Sequence, residues 1–185
     1  MSAAQPSRRR VWVDADACPR PVREILRRAV ERGRVSLVLV ANRPLHGADR
    51  PHVTAIRVGD GFDAADRRIA GGCRQGDVAV TADIPLAAEL VQRGVFVLTP
   101  RGEPITDANA GDRLALRDLH EELRASGAAV GGPPAYGPRD RRKFADRFDR
   151  LLTRLARDAE KAAARKRHPE PALRSPGRGP GGSPR

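Results

Sequence analysis

Apolar residues along this chain follow two alternating rhythms. Short, nearly continuous apolar runs occur at Arg10–Val13, Val35–Ala41, Val53–Val58, Asp77–Thr81 and Val95–Leu98. Runs of this length, bounded by polar or turn residues, predict strands, and the continuity of Val35–Ala41 predicts cover on both of its faces, with Asp77–Thr81 another buried strand. Between them the apolar positions recur at helical spacing. Val22, Ile25, Leu26, Ala29 and Val30 form one stripe that stops at Gly33. Ala65, Ile69 and Cys73 form a second, and Leu86, Leu90 and Val91 a third that closes at Gly94. Pro19, Pro21 and Pro85 stand where the first turns of these helices begin, which is where a helix tolerates proline. Strands alternating with helices over short connections predict an α/β fold, with a mostly parallel central sheet, right-handed crossovers and flanking helices.

After Thr99 the pattern becomes helical. Leu116, Leu119 and Leu123 mark one helix before Gly127. Phe144, Phe148, Leu151, Leu152 and Leu155 mark another after the Gly-Gly-Pro-Pro turn at 131–134. From about Arg157 onward, charge, Pro and Gly displace the apolar periodicity, which predicts a disordered basic tail. The expected organisation is a loose basic segment at 1–9, an α/β domain with two additional C-terminal helices at 10–156, and the tail at 157–185.

Charge changes this picture less than its total suggests. The net charge is +12, but Arg8–Arg10 and residues 154–185 supply most of it, leaving a nearly balanced body. Only Lys143, Lys161 and Lys166 among the 35 basic residues are lysines, so the arginine richness reflects genome composition as readily as phosphate binding. Cys18 and Cys73 make neither a disulfide framework nor a zinc set, so no disulfide-linked partner is expected. The N-terminus lacks an apolar segment behind its basic residues, and no apolar run approaches a membrane span. A cytoplasmic protein is expected.

The candidate chemistry is carboxylate chemistry. In an open parallel sheet, ligands bind beyond the carboxyl ends of the strands. Asp14 and Asp16 follow the first strand and Asp83 the fourth, so neighbouring strands would bring them to one rim. Asp63 and Asp66, three apart on a helix, approach from the side. Hard oxygen donors of this kind suit Mg²⁺ or Mn²⁺, and a pair of such ions serves phosphodiester cleavage. Each aspartate also has a plainer reading, because Asp is a favoured helix cap and Asp16 and Asp83 both precede helices. The pair Asp14/Asp16 exceeds what capping needs. A haloacid-dehalogenase-type phosphatase is the rival suggested by Val13-Asp14-Ala15-Asp16 and Gly59-Asp60-Gly61-Phe62-Asp63. It requires a Ser or Thr after the second strand, where Ala41-Asn42 stands, and a Lys before Lys143. Cys18, at a helix start, has no His within sequence reach and reads as a small buried side chain rather than a nucleophile.

Several stretches in order resemble the YaiI/YqxD family. They are Val11-Trp-Val-Asp-Ala-Asp-Ala-Cys-Pro19, Gly61-Phe-Asp-Ala-Ala-Asp66, Gly76-Asp-Val-Ala-Val-Thr-Ala-Asp-Ile-Pro-Leu-Ala87 and Pro100-Arg-Gly-Glu103, then Arg124-Ala-Ser-Gly127, Gly131-Gly-Pro133 and Arg139-Asp140 with Phe144. The resemblance spans roughly residues 10–155 and implies a three-layer PIN-like fold, shared with metal-dependent nucleases. It implies catalytic Asp14, Asp66 and Asp83, with Asp63 as a rival to Asp66 and Asp16 as an assisting ligand, around Mg²⁺ or Mn²⁺. Thr81-Ala82-Asp83 is similar to the Thr-x-Asp of PIN domains. The chain departs from that pattern at Ile84-Pro85-Leu86, where active PIN sites often carry a further acid. RNA is the expected partner, contacted by Arg139, Arg141, Arg142 and Lys143. The competing expectation is a catalytically silent nucleic-acid-binding protein that keeps the fold and binds through its basic ends.

Overall fold

The computed structural model describes residues 8–45, 50–61, 63–127, 132 and 134–167, the last with side chains to 165. Phe62, Gly131, Pro133, His46 and His168, the first seven residues and the tail beyond 167 lie outside the described residues. The elements run β1 (Arg10–Asp14), α1 (Arg20–Glu31), β2 (Ser36–Ala41), β3 (Val53–Arg57), α2 (Ala64–Gly72), β4 (Val78–Val80), α3 (Ile84–Gln92), β5 (Phe96–Leu98), β6 (Pro104–Ile105), α4 (Asp107–Ala125) and α5 (Pro138–Arg167). By its contacts the chain divides into two units, Met1–Arg150 and Leu151–Arg185. The first holds the sheet. The described part of the second is the continuation of α5.

The sheet has strand order β3-β2-β1-β4-β5-β6. Its first five members are parallel, and β6 pairs antiparallel with β5. The α/β class expected from the alternation is the observed one. The strand β6 is additional, since two residues ending in one apolar side chain give no periodicity to read.

Directly paired residues point to the same face. Trp12, Val38, Ala79, Val97 and Ile105 therefore line one face, where they join Ile69 and Cys73 from the α2 region and Leu86, Ala87, Leu90 and Val91 of α3. The residues between them, including Val11, Val13, Leu37, Leu39, Val78 and Val80, point the other way and are also buried. Helix α1 lies against β2 and buries Val22, Leu26, Ala29 and Val30. Layers on both sides of the sheet explain why its inner strands read as continuous apolar runs rather than alternating ones, while Thr54, Ala55 and Arg57 of the edge strand β3 are exposed.

Trp12 sets a tight constraint at Gly72. A Cβ added there would lie 2.2 Å from Trp12 Cη2 and 2.6 Å from Cζ3. The indole is 4 % exposed and fixed in the core, so it cannot swing aside. Gly72→Ala is expected to cost about 2 kcal/mol by overpacking. A urea titration followed by the fluorescence of Trp12, the single tryptophan, measures it. A midpoint equal to wild type would show that the ring relocates freely.

Two helices depart from expectation. In α4 the leucines that mark its sequence signature, Leu116, Leu119 and Leu123, are exposed, while Ala110 is buried and Leu114 packs on the core. Helix α5 runs to Arg167, past the expected end near Arg157. Its last turns carry Ala, Lys, Glu and Arg, which favour helix without any apolar stripe.

Candidate acidic site at the carboxyl rim

Asp14 is the last residue of β1, and β1 pairs directly with β4. The segment Thr81–Asp83 that leaves β4 therefore emerges beside Asp14. The strand order alone gathers these residues. Local hydrogen bonds then fix one oxygen of several carboxylates. Asp14 Oδ1 accepts from the backbone N–H groups of Asp16, at 2.9 Å, and Ala17, at 3.2 Å. Asp16 Oδ2 accepts from the Asn42 N–H at 2.8 Å, tying the β1–α1 loop to the end of β2. Asp83 Oδ1 accepts from Leu86 N–H at 2.7 Å and its own N–H donates to Thr81 Oγ1 at 3.0 Å. The capping expectation thus holds for Asp83 and not for Asp16, because α1 starts after Pro19, which makes no side-chain cap. Asp63 occupies the cap position of α2 in the left-handed region, φ 57°, and makes no side-chain cap either.

Asp14, Asp16, Asn42, Asp63 and Asp66 line one open cavity of about 170 Å³. Asp83 stands outside that lining but close enough to act on Asp66. The Asp66 carboxyl is pushed up to about 6, first by burial and then by the charges of Asp83, Asp14 and Asp63. Asp66 is thus the point on which the other carboxylates bear. Among the described residues, no three Asp, Glu, His or Cys side chains already stand as a metal-holding group. The rim is a dense negative mouth rather than a preformed cage.

That arrangement fits a hydrated hard cation better than a tightly chelated one. Magnesium keeps several waters and is commonly held by one or two carboxylates together with substrate phosphate. The donors are all oxygens, as Mg²⁺ and Mn²⁺ prefer. Asn42 adds an observation of its own: its side-chain Oδ1 is buried beside the carboxylates and has no hydrogen-bond partner. A buried acceptor without a donor is costly, and an oxygen acceptor is of the chemistry that a hard cation takes.

Raising the Asp66 carboxyl has a stability consequence. Well below pH 3.8, the ordinary carboxyl value, folded and unfolded chains both hold the proton and no penalty arises. Between about 3.8, where the unfolded chain gives up its proton, and about 6, where the folded chain does, stability falls as pH rises, and it stays lower above that window. In chelator at pH 8, Asp66→Asn should therefore stabilise the protein by about 1 kcal/mol, a figure reduced for the solvent screening of a half-exposed group. At pH 4 most of the effect should be gone. Paired urea titrations at the two pH values measure it, and an equal gain at both would assign it to packing instead.

Cys18 is buried, and burial pushes its thiol up to about 12 despite the nearby Arg23, with Asp14 adding to the rise. It is no nucleophile at neutral pH. Cys18 and Cys73 are both free thiols. No described helix is long and apolar enough to cross a membrane.

The basic residues at the start of α5 divide. Arg139, Arg141 and Arg142 are exposed. Lys143 Nζ donates to Glu103 Oε1 at 3.1 Å, and this bond with that from Arg113 holds the Glu103 carboxyl below its ordinary range. Sequence reasoning missed Arg101, which donates to Asp140 Oδ2 at 2.7 Å and stacks 5.9 Å over the Tyr136 ring. The Tyr136 phenol is raised by burial and then by Asp140 and Cys18, against the pull of Arg101 and Arg141.

A mostly parallel α/β sheet with aspartates gathered at its carboxyl rim defines the class of protein. Residues 12–154 match the model of the uncharacterised YaiI/YqxD family, and the chain belongs to that family. It is similar to a UPF0178 protein of Myxococcus xanthus, with 51% identity over 152 residues, covering 82% of this chain and 99% of the relative. A UPF0178 protein of Thioalkalivibrio sulfidiphilus is 50% identical over 145 residues, covering 78% and 99%. One of Saccharophagus degradans is 47% identical over 150 residues, covering 81% and 99%.

Proposed function

We propose that this protein is a divalent-metal-dependent phosphodiesterase that cleaves nucleic acid, RNA in preference to DNA. The observation that carries the reading is the cavity of about 170 Å³ lined by Asp14, Asp16, Asp63 and Asp66 at the carboxyl rim. Asp14 and Asp66, with Asp83 beside them, would hold Mg²⁺ or Mn²⁺, and Asp16, Asp63 and Asn42 would complete the mouth. When bound, the ion supplies charge neutralisation at the phosphate and an acidified water. The protein's own groups do the rest. The hydrogen bonds at Asp14, Asp16 and Asp83 each fix one oxygen and hold the side chain in place, leaving the other oxygen to face a ligand. Arg139, Arg141 and Arg142 offer phosphate contacts that orient a strand without reading its sequence.

A second reading is favoured by two observations. Ile84 stands where active PIN sites often carry an acid, and the carboxylates form no ready-made group of three. On that reading the fold binds RNA without cutting it. Incubating labelled single-stranded RNA, structured RNA and DNA with Mg²⁺, Mn²⁺ or chelator separates the two. Cleavage that appears with metal and disappears in chelator supports the first reading. Binding without turnover in any metal selects the second.

A further inference from the structure

At the opposite edge of the sheet from the acidic rim lies an open cavity of about 360 Å³. Segments that lead into three parallel strands build it: Arg8 before β1, Gly33 before β2 and residues 50–53 at the start of β3, with the last turns of α1 beside them. Strand β2 spans six residues, so roughly 17 Å of sheet separates this cavity from the carboxyl rim. The two are distinct places. The volume lies within the range of small-molecule pockets, about 300–1,000 Å³.

The lining is cationic. Arg8, Arg27 and Arg50 share it with one carboxylate, Glu31, which accepts from Arg50 Nη1 at 2.9 Å. Neither Arg8 nor Arg27 pairs with a carboxylate among the described residues, so two guanidinium groups border the cavity without an anion. Arg8 is held there. The Ser36 N–H donates to the Arg9 carbonyl at 2.9 Å, and the Arg8 guanidinium lies over Gly33, where an added Cβ would stand 3.6 Å from Nη2. Arg27 is not needed to cap α1, because the N–H groups of Arg32, Gly33 and Arg34 already bond the carbonyls of Arg28, Val30 and Ala29. His52 enters the lining from a tight turn in which the Val53 N–H donates to the Arg50 carbonyl at 3.1 Å. Its φ is 63°, at a turn position that favours glycine or asparagine. Val30, Pro51 and Val53 supply apolar surface between these groups.

We propose that this cavity binds a nucleoside phosphate, with Arg8 and Arg27 on the phosphate and the base against His52, Val30 and Val53. Guanidinium groups meet phosphate oxygens with paired, charge-assisted N–H bonds, and two of them without an anion match a multiply charged phosphate. A flat imidazole beside apolar side chains gives a planar base a surface to stack on. Inorganic phosphate would leave most of the volume to water. A polymer would spread over the surrounding surface rather than enter a cavity of this size. The inference concerns a second ligand site and does not depend on phosphodiester cleavage at the acidic rim.

The test uses the full chain in chelator, which keeps metal from the acidic rim. The probes are ADP, GDP, CDP and UDP carrying a methylanthraniloyl fluorophore on the ribose, read by anisotropy. At least one should bind saturably, and its unlabelled form should displace it. Inorganic phosphate and the unphosphorylated nucleoside should each compete at least about 10-fold more weakly. Arg27→Gln should weaken binding about 10-fold. Arg28→Gln, which removes an equal charge from an exposed position on the same helix outside the lining, should weaken it less than about 2-fold. His52→Asn should weaken it about 3-fold while leaving Tm unchanged or higher, because asparagine accepts the positive φ. A lower Tm with affinity intact would give His52 a structural role and remove it from the site. Absence of saturable binding by all four probes overturns the proposal, as does an Arg27→Gln variant that binds like Arg28→Gln. Phosphate competing as well as the nucleotide would reduce the cavity to a bare anion site. Displacement by single-stranded RNA that strengthens with its length would make the surface a strand contact instead, and either result overturns the nucleoside phosphate.

Discussion

Asp77→Ala should destabilise the fold by about 3 kcal/mol, the largest single-residue loss expected outside the apolar core. Asp77 is 7 % exposed, at the amino end of β4. Its Oδ2 accepts from Arg10 Nη2 at 2.8 Å, Trp12 Nε1 at 3.1 Å and the Arg74 N–H at 3.0 Å, and Oδ1 from Arg10 Nε at 3.4 Å. Alanine would strand the buried indole N–H and leave the half-buried Arg10 without its anion. Breaking such a pair costs more than the pair ever contributed where the remaining groups stay shielded from water, as the buried indole N–H does fully and the Arg10 guanidinium in part. Against a typical stability of about 5–15 kcal/mol the loss is a large fraction. Urea titration should show a lower midpoint with the slope unchanged. Asp77→Asn keeps an acceptor for Trp12 and should lose roughly half as much. A midpoint within error of wild type for the alanine variant would mean that water replaces the carboxylate at no cost.

Asp14→Asn should reduce metal-dependent cleavage by about 100-fold or more, equivalent to about 2.7 kcal/mol of transition-state stabilisation. The fold should be spared, because the amide oxygen of asparagine can take over the two N–H bonds that Asp14 Oδ1 accepts from Asp16 and Ala17. What asparagine lacks is the negative charge, which a hard cation needs. Its far-ultraviolet spectrum and urea midpoint should match wild type. Activity unchanged by the substitution would mean that the cleavage comes from another site or another protein.

Much of this architecture is legible in the amino-acid sequence, and the exceptions have physical causes. The inner parallel strands announce themselves because they are buried on both faces, whereas the edge strand β3 has no buried residue. Asp14 and Asp83 can be placed at one rim because the fold class dictates which strand ends face ligands, and β1 does pair with β4. Asp77 is not legible in the same way. A polar residue at the start of a strand looks like any boundary, and its importance depends on Trp12 and Arg10, more than sixty residues earlier. The signal that was available is the tryptophan: an indole in a buried strand needs an acceptor for its N–H. Helix α5 outran its apolar pattern because helix propensity needs no stripe.

The central claim is that the carboxylates at the rim hold a divalent cation. Titrating the protein with Mn²⁺ and following free ion by electron paramagnetic resonance tests it without reference to any substrate. Wild type should take up Mn²⁺ saturably, compete with Mg²⁺, and lose about 10-fold in affinity on Asp14→Asn and again on Asp66→Asn. Mn²⁺ uptake that is absent, or that both substitutions leave unchanged, would contradict the account.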